Sequence, residues 1–252
     1  MRPRDPAEFA RRYGWPAPAA LPLAIGHRGA SGHLTENTLA AFDLAADLGA
    51  EMWELDTQLT RDGVCVVSHD DHLGRVFGVD VRISALTAAE LAELPGVAVP
   101  TFAAVAALAR ARGTGLYVEL KAVGSGPLVV AELARHQQRF AVLGSFDPAQ
   151  VRDLRDTGVQ YPLSILVRVR ADPHAAATAA GADIMHLCWE TASPRPQDLV
   201  TAGLLEAAFA AGRDVVLWHE ERPAAIADLV RLPVLGICSD LPELLVSARR
   251  AR

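Results

Sequence analysis

Short apolar runs alternate with longer stretches of helical periodicity along almost the whole chain, and that alternation restricts the fold more than any other feature. Runs at 23–26, 52–57, 115–120, 140–144, 162–166, 183–187, 214–218 and 235–238 read as buried strands. Ala/Leu-rich segments near 87–94, 101–112, 126–137, 148–156, 172–180, 197–211, 223–231 and 241–250 read as helices. A further helix is expected over 37–48, where Leu39, Phe42, Ala45 and Ala46 share one stripe and Glu36-Asn37-Thr38 offers polar side chains suited to a helix start. Strands separated by helices make parallel sheets, and eight strands each followed by helix is the count of a closed (β/α)8 barrel, with 87–94 and 101–112 sharing one crossover and a doubly wound open sheet as the competitor. At 252 residues, 51% hydrophobic and without a Pro/Gly/Ser-rich linker, the chain is expected to form a single α/β barrel domain over 22–252 behind an N-terminal extension, 1–21.

One apolar run falls outside that count. Residues 64–68 look like a strand, but Thr60-Arg61-Asp62-Gly63 is too short for the crossover that a parallel neighbour requires. The run must return as an extra β-hairpin after the second strand. Asp-Gly is a tight-turn signal, and a turn near residue 62 pairs positions whose numbers sum to 123–125. His69 is thereby carried back opposite Glu54 to Asp56.

Composition removes several function classes. A formal charge of -6 argues against a nucleic-acid-binding surface, which needs a basic stripe. Cys65, Cys188 and Cys238 are odd in number and widely spaced inside apolar runs, so no disulfide framework or metal knuckle is expected. Arg2 and Arg4 are followed at once by Asp5 and Glu8, and Pro16, Pro18 and Pro22 break the next apolar stretch. That is a poor secretory signal, and a cytoplasmic protein without stable membrane insertion is expected. No GxSxG elbow, Walker-type loop or GxGxxG occurs.

The chemistry-bearing residues sit at strand ends. Glu54 and Asp56 lie two apart, so both point to one face, and a hard cation such as Ca2+ or Mg2+ would relieve their repulsion; a solvated or salt-bridged pair is the plainer reading. Glu119-x-Lys121 repeats the spacing. Glu119 could complete a ligand set and Lys121 could face an anion, or the two could be an ordinary rim ion pair. His27-Arg28-Gly29 closes the first strand with a proton carrier, an anion-binding fork and a residue that admits close backbone approach. With His69 beside Asp70, there are two imidazoles near an acidic pair, as phosphodiester cleavage requires: one takes a proton from the nucleophile and the other gives one to the leaving alkoxide. His33, His72, His136, His174, His186 and His219 lack such companions and are expected to be surface or structural, His219 least securely because it ends a strand.

These residues resemble the glycerophosphodiester phosphodiesterase family. The stretch IGHRGASGHLTENTLAAFDLAADLGAEMWELDTQLTRDGVCVVSHDDHLGR carries HRG, ENT, GAE-x-x-E-x-D, T-x-DG and HD in the family's order, and weaker similarity continues through VPTF, VELK, GSF and GICSDLPELL. The resemblance implies a TIM-type barrel that hydrolyses a small-molecule glycerophosphodiester to glycerol 3-phosphate and an alcohol. Carried over, His27 and His69 are the acid/base pair, Glu54, Asp56 and Glu119 the divalent-metal ligands, and Arg28 and Lys121 phosphate contacts. Asn37 steadies the site, and Glu36 orders its loop. Two departures, Thr35 for proline and Ser239-Asp240-Leu241 for a Thr-Asp-Arg-like ending, are expected to lie outside the chemistry. Trp218-His219-Glu220-Glu221 stands where the family commonly has W-T-x-N. The alternatives are a sphingomyelinase D or lysophospholipase D type lipid phosphodiesterase and a non-catalytic phosphate-binding barrel.

Overall fold

The computed structural model describes residues 5–251; Arg2 and Arg4, on which part of the signal-peptide reading rests, lie outside them. Eight parallel strands form a closed ring: β1 (Leu23–His27), β2 (Met52–Leu59), β4 (Gly115–Leu120), β5 (Ala141–Ser145), β6 (Leu163–Val167), β7 (Ile184–Cys188), β8 (Asp214–Trp218) and β9 (Gly236–Ser239). Closure is made by β1, which pairs with β2 on one side and β9 on the other. The extra strand, β3 (Cys65–Val67), runs antiparallel to β2 outside the ring. Its partners Thr57↔Val67, Gln58↔Val66 and Leu59↔Cys65 follow the register expected from the Asp-Gly turn. No helix among the described residues is long and apolar enough to cross a membrane.

Period-two alternation explains why the ring strands read as continuous apolar runs. One set of residues, including Trp53, Leu55, Leu116, Val118 and Leu143, packs outward against the helices. The other set faces the barrel axis. Near the strand starts it is apolar, with Leu23, Ile25, Met52, Tyr117, Val142 and Val216 in one cluster. Continuing each strand by two residues at the same parity changes its character: Ile25 is followed by His27, Met52 by Glu54 and then Asp56, and Tyr117 by Glu119. The interior is therefore packed at the floor and polar at the C-terminal mouth.

Three boundaries differ from the sequence reading. The helix expected over 37–48 is Leu39–Asp47, because Asn37 adopts φ 57 and Thr38 caps the helix by accepting from the Ala41 N–H. The segment 197–211 divides into a short 3-10 turn, Pro196–Leu199, and a helix, Ala202–Ala210, whose cap is Thr201. Helix Pro6–Tyr13, capped by Asp5, was not expected among the prolines; Phe9 and Trp15 join the apolar floor.

Candidate active site

The mouth is assembled around a loop with an unusual backbone. Arg28 and Asn37 both have positive φ, 56 and 57, and the Asn37 N–H donates to the Arg28 carbonyl at 2.9 Å. Holding non-glycine residues there costs about 1–3 kcal/mol each, so the surrounding contacts must impose it. Those contacts converge on Asp56. Asn37 Nδ2 donates to Asp56 Oδ2 at 2.9 Å, and Arg28 Nε lies 3.3 Å from the same oxygen. Gly29, at φ 86, closes the turn where a Cβ would lie 2.7 Å from the Ala41 backbone.

Glu54, Asp56 and Glu119 are all buried, and one oxygen from each falls within 4.8 Å of the others. Burial and the Asp56 charge push the Glu54 carboxyl well up, and the same two causes carry Glu119 to about 7. Asp56 goes the other way. Burial opposes its ionisation, but Arg28 and Lys121 outweigh it and hold Asp56 below its ordinary range. Lys121 Nζ stands 3.1 Å from Glu119 and 3.5 Å from Asp56. Asn37 Oδ1 is buried without a hydrogen-bond partner.

Each expected proton carrier is backed by a carboxylate. His27 Nδ1 meets Asp240 Oδ1 at 2.6 Å, while its Nε2 is buried without a hydrogen bond, 3.9 Å from Glu54 Oε2. Burial lowers the His27 pKa, and Asp240 partly offsets that. His69 Nδ1 meets Asp70 Oδ1 at 2.6 Å. The hairpin holds His69 in place, with the Ser68 N–H donating to the Asp56 carbonyl at 3.0 Å and Gln58 Nε2 to the His69 carbonyl at 3.1 Å. A chain of ion pairs links the two histidine loops. Glu36 accepts from Arg28 at 3.0 Å and from Arg75 at 2.6 Å, and Arg75 Nε reaches Asp70 at 2.5 Å. Arg75 was not singled out in the sequence, because nothing in its spacing ties it to the acidic pair.

Two expectations are corrected. Asp240 does not lie outside the site; it is the partner of His27, and Ser31 Oγ donates to the same oxygen at 2.8 Å. His219 is no isolated surface or core histidine either. Its ring stacks on that of His27 with centroids 4.5 Å apart and planes at 14°, and its Nδ1 lies 3.0 Å from Glu221. Strand parity could have found Asp240, since Cys238 faces the axis and residue 240 follows it at the same phase. Of the remaining histidines, His33 is exposed, His72, His136 and His174 are partly exposed, and His186 is buried against Tyr117 inside the barrel.

The open space at the mouth divides at Lys121. On the hairpin side is a pocket of about 430 Å³ whose walls include His69, Arg75 and Lys121. On the other side one of about 350 Å³ runs past Glu119 to Phe146 and Arg168, whose guanidinium sits 4.6 Å from the Phe146 ring centre. Buried carboxylates, cations and imidazoles with one open nitrogen can together bind an anionic group and move protons beside it.

Comparison with known proteins bears on this arrangement. Residues 27–244 match the model of the glycerophosphoryl diester phosphodiesterase family. YhdW of Bacillus subtilis (strain 168) is 34% identical over 159 residues, 57% of this chain and 65% of YhdW, so the chain spans just under two thirds of that relative's length. A glycerophosphodiester phosphodiesterase of Caldanaerobacter subterraneus is 26% identical over 245 residues, 90% of this chain and 98% of that one. Among solved structures, a glycerophosphodiester phosphodiesterase from Thermotoga maritima superposes with a TM-score of 0.75 at 25% identity, covering 89% of this chain and 97% of its own. The chain belongs to the glycerophosphoryl diester phosphodiesterase family.

Proposed function

We propose that this chain is a phosphoric diester hydrolase that cleaves glycerophosphodiesters to glycerol 3-phosphate and an alcohol. Family membership supports the reaction class and the substrate class. The observation that carries the reading at residue level is His27, with one ring nitrogen held by Asp240 and the other left open beside Glu54.

The carboxylate trio fits a hard divalent cation, Ca2+ or Mg2+. Its donors are all oxygens, it is buried, and burial together with the Asp56 charge holds Glu54 and Glu119 up, a penalty that a divalent cation between the carboxylates would relieve. Asn37 Oδ1, buried and unpartnered, adds a further oxygen beside it. Glu54, Asp56 and Glu119 would hold the cation, which when bound supplies charge stabilisation at a phosphoryl oxygen.

The chain's own side chains do the rest. Arg28 and Lys121 flank the trio and orient the phosphate. A nucleophile O–H, from water or from the substrate's own glycerol, forms the new P–O bond while its proton passes to the open nitrogen of one imidazole. The P–O bond to the alcohol breaks, and the other imidazole gives its proton to the departing oxygen; where glycerol is the nucleophile the product is a cyclic phosphate, and a water then adds to phosphorus and breaks one ring P–O bond to give glycerol 3-phosphate. Asp240 and Asp70, each bonded to Nδ1, fix the tautomer that leaves Nε2 to react and stabilise the ring that becomes charged.

The test is to incubate purified protein with glycerophosphocholine, glycerophosphoethanolamine or a lysophospholipid, with and without chelator, and to measure glycerol 3-phosphate and alcohol. Chelator-sensitive release from the water-soluble diesters is expected. Turnover of the lipid alone would transfer the assignment to a lipid phosphodiesterase, and none at all would leave a binding protein.

A further inference from the structure

The mouth contains a second group of donors, next to the carboxylate trio around the ring. His27, His219 and Asp240 each offer an atom within 4.8 Å of the others. They close the adjacent strands β1, β8 and β9, so the ring itself holds them together. His27 Nδ1 is 2.6 Å from Asp240 Oδ1, and His219 Nδ1 is 4.0 Å from Asp240 Oδ2. Glu221 lies alongside, with both carboxylate oxygens 3.0 Å from His219 Nδ1 and one accepting from the Asp240 N–H at 2.8 Å. Orienting His27 needs only Asp240. The stacked second imidazole is surplus to that task.

The chemistry of this set differs from that of the trio. Two imidazole nitrogens with carboxylate oxygens are ligands for Zn2+, whereas the trio offers hard oxygens alone. A tetrahedral Zn2+ with ligands at about 2.0–2.1 Å separates its donors by roughly 3.3 Å. The observed spacings of 2.6 and 4.0 Å to Asp240 bracket that value, but the two ring planes lie only 14° apart, so the partly exposed His219 must swing about its side-chain torsions to bring its Nδ1 lone pair onto the ion that His27 and Asp240 hold.

From these contacts we infer that His27, His219 and Asp240, with Glu221 as fourth ligand, form an inhibitory Zn2+ site distinct from the catalytic cation site. Zn2+ takes the Nδ1 lone pair of neutral His27. The single proton of that ring must then sit on Nε2: as base, His27 has no lone pair left to accept the nucleophile's proton, and as acid it could give that proton up only by becoming an anionic zinc-bound imidazolate. No bond in the substrate changes; the enzyme is stopped by forcing the wrong tautomer. The inhibitory consequence rests on the catalytic reading of His27 given above, whereas binding does not.

Binding and inhibition are therefore measured separately. Co2+ replaces Zn2+ as a visible probe, titrated into protein already saturated with Ca2+ or Mg2+. Wild type is expected to develop the intense visible band of a tetrahedral nitrogen-containing site, saturating at one equivalent. Glu119→Gln, which disables the trio, retains the band, and His219→Ala loses it. In the diesterase assay, Zn2+ inhibits wild type with a midpoint that does not move as Ca2+ or Mg2+ is raised, and His219→Ala, measured against its own zinc-free rate, needs at least tenfold more. A band absent from wild type overturns the site. So does zinc inhibition that Ca2+ relieves and that His219→Ala leaves unchanged, because zinc is then acting at the trio. A normal band in a protein with no diesterase activity would leave the site standing and remove the reading of function instead.

Discussion

Replacing Asp240 with alanine isolates the contribution of a carboxylate that touches the ring proposed to carry a proton. His27 is buried, and its Nδ1–H has Asp240 Oδ1 at 2.6 Å as its acceptor. A hydrogen bond to a charged group contributes about 1.5–3 kcal/mol. If that support is lost chiefly in the transition state, where the ring is gaining or losing charge, kcat falls by roughly 10- to 150-fold at about 1.36 kcal/mol per decade. KM should move little. The pH profile supplies an independent readout: burial lowers the His27 pKa and Asp240 raises it in part, so removing Asp240 lowers it further. Whichever limb of the profile belongs to His27 therefore shifts to lower pH, whether His27 acts as base or as acid. Ser31 Oγ keeps the His27 carbonyl as acceptor at 2.7 Å, so the loop is not expected to collapse. The measurement is steady-state kinetics on a glycerophosphodiester from acid to alkaline pH. A variant with wild-type kcat, or one whose loss is all in KM with an unmoved profile, would refute the positioning role.

Other perturbations test other links. His69→Ala should lower kcat by about 10²–10⁴-fold while calorimetric titration with Ca2+ or Mg2+ stays near wild type, since His69 is no part of the trio. Trp15→Ala, at the floor where Trp15 packs 5.1 Å from the Phe140 ring, should destabilise by about 3–5 kcal/mol in urea melts and leave kcat unchanged at the opposite end of the barrel. Gly29→Ala must place a Cβ 2.7 Å from the Ala41 backbone at φ 86 and should cost about 2–5 kcal/mol from backbone strain and overpacking, with activity lost as the Arg28 loop moves.

What the sequence made legible follows from how local each signal was. The eight ring strands and the hairpin were readable because a buried strand and an Asp-Gly turn announce themselves within a few residues. The acidic trio was readable because Glu54 and Asp56 share one strand and Glu119 ends the ring strand beside it. Parity alone places Asp240 at the mouth, but its pairing with His27, 213 residues away, depends on the register between the first and last strands, which nothing local gives. His219 was missed for the same reason: a histidine at the end of β8 becomes a neighbour of His27 only once the ring is shut. Helix Pro6–Tyr13 was hidden by the prolines around it, although Asp5-Pro6 is a helix-start signal.

Closure is thus a chemical requirement as well as a topological one. In an open sheet cut between β1 and β9, β1 would still pair with β2, so the backbone N–H of Arg28 would still reach Glu54 at 3.1 Å and the trio would survive. His27, however, would have no Asp240, no stacked His219 and no wall on that side. The pairing of Ile25 with Cys238 and of Gly26 with Ser239 aligns the end of β1 with the end of β9 and so places Asp240 against His27. The half of the mouth proposed to bind a cation is therefore a property of β2 and β4, while the environment of one proposed proton carrier is a property of the seam. A change that loosens the seam without unfolding the barrel should separate the two, sparing affinity for a divalent cation and removing turnover.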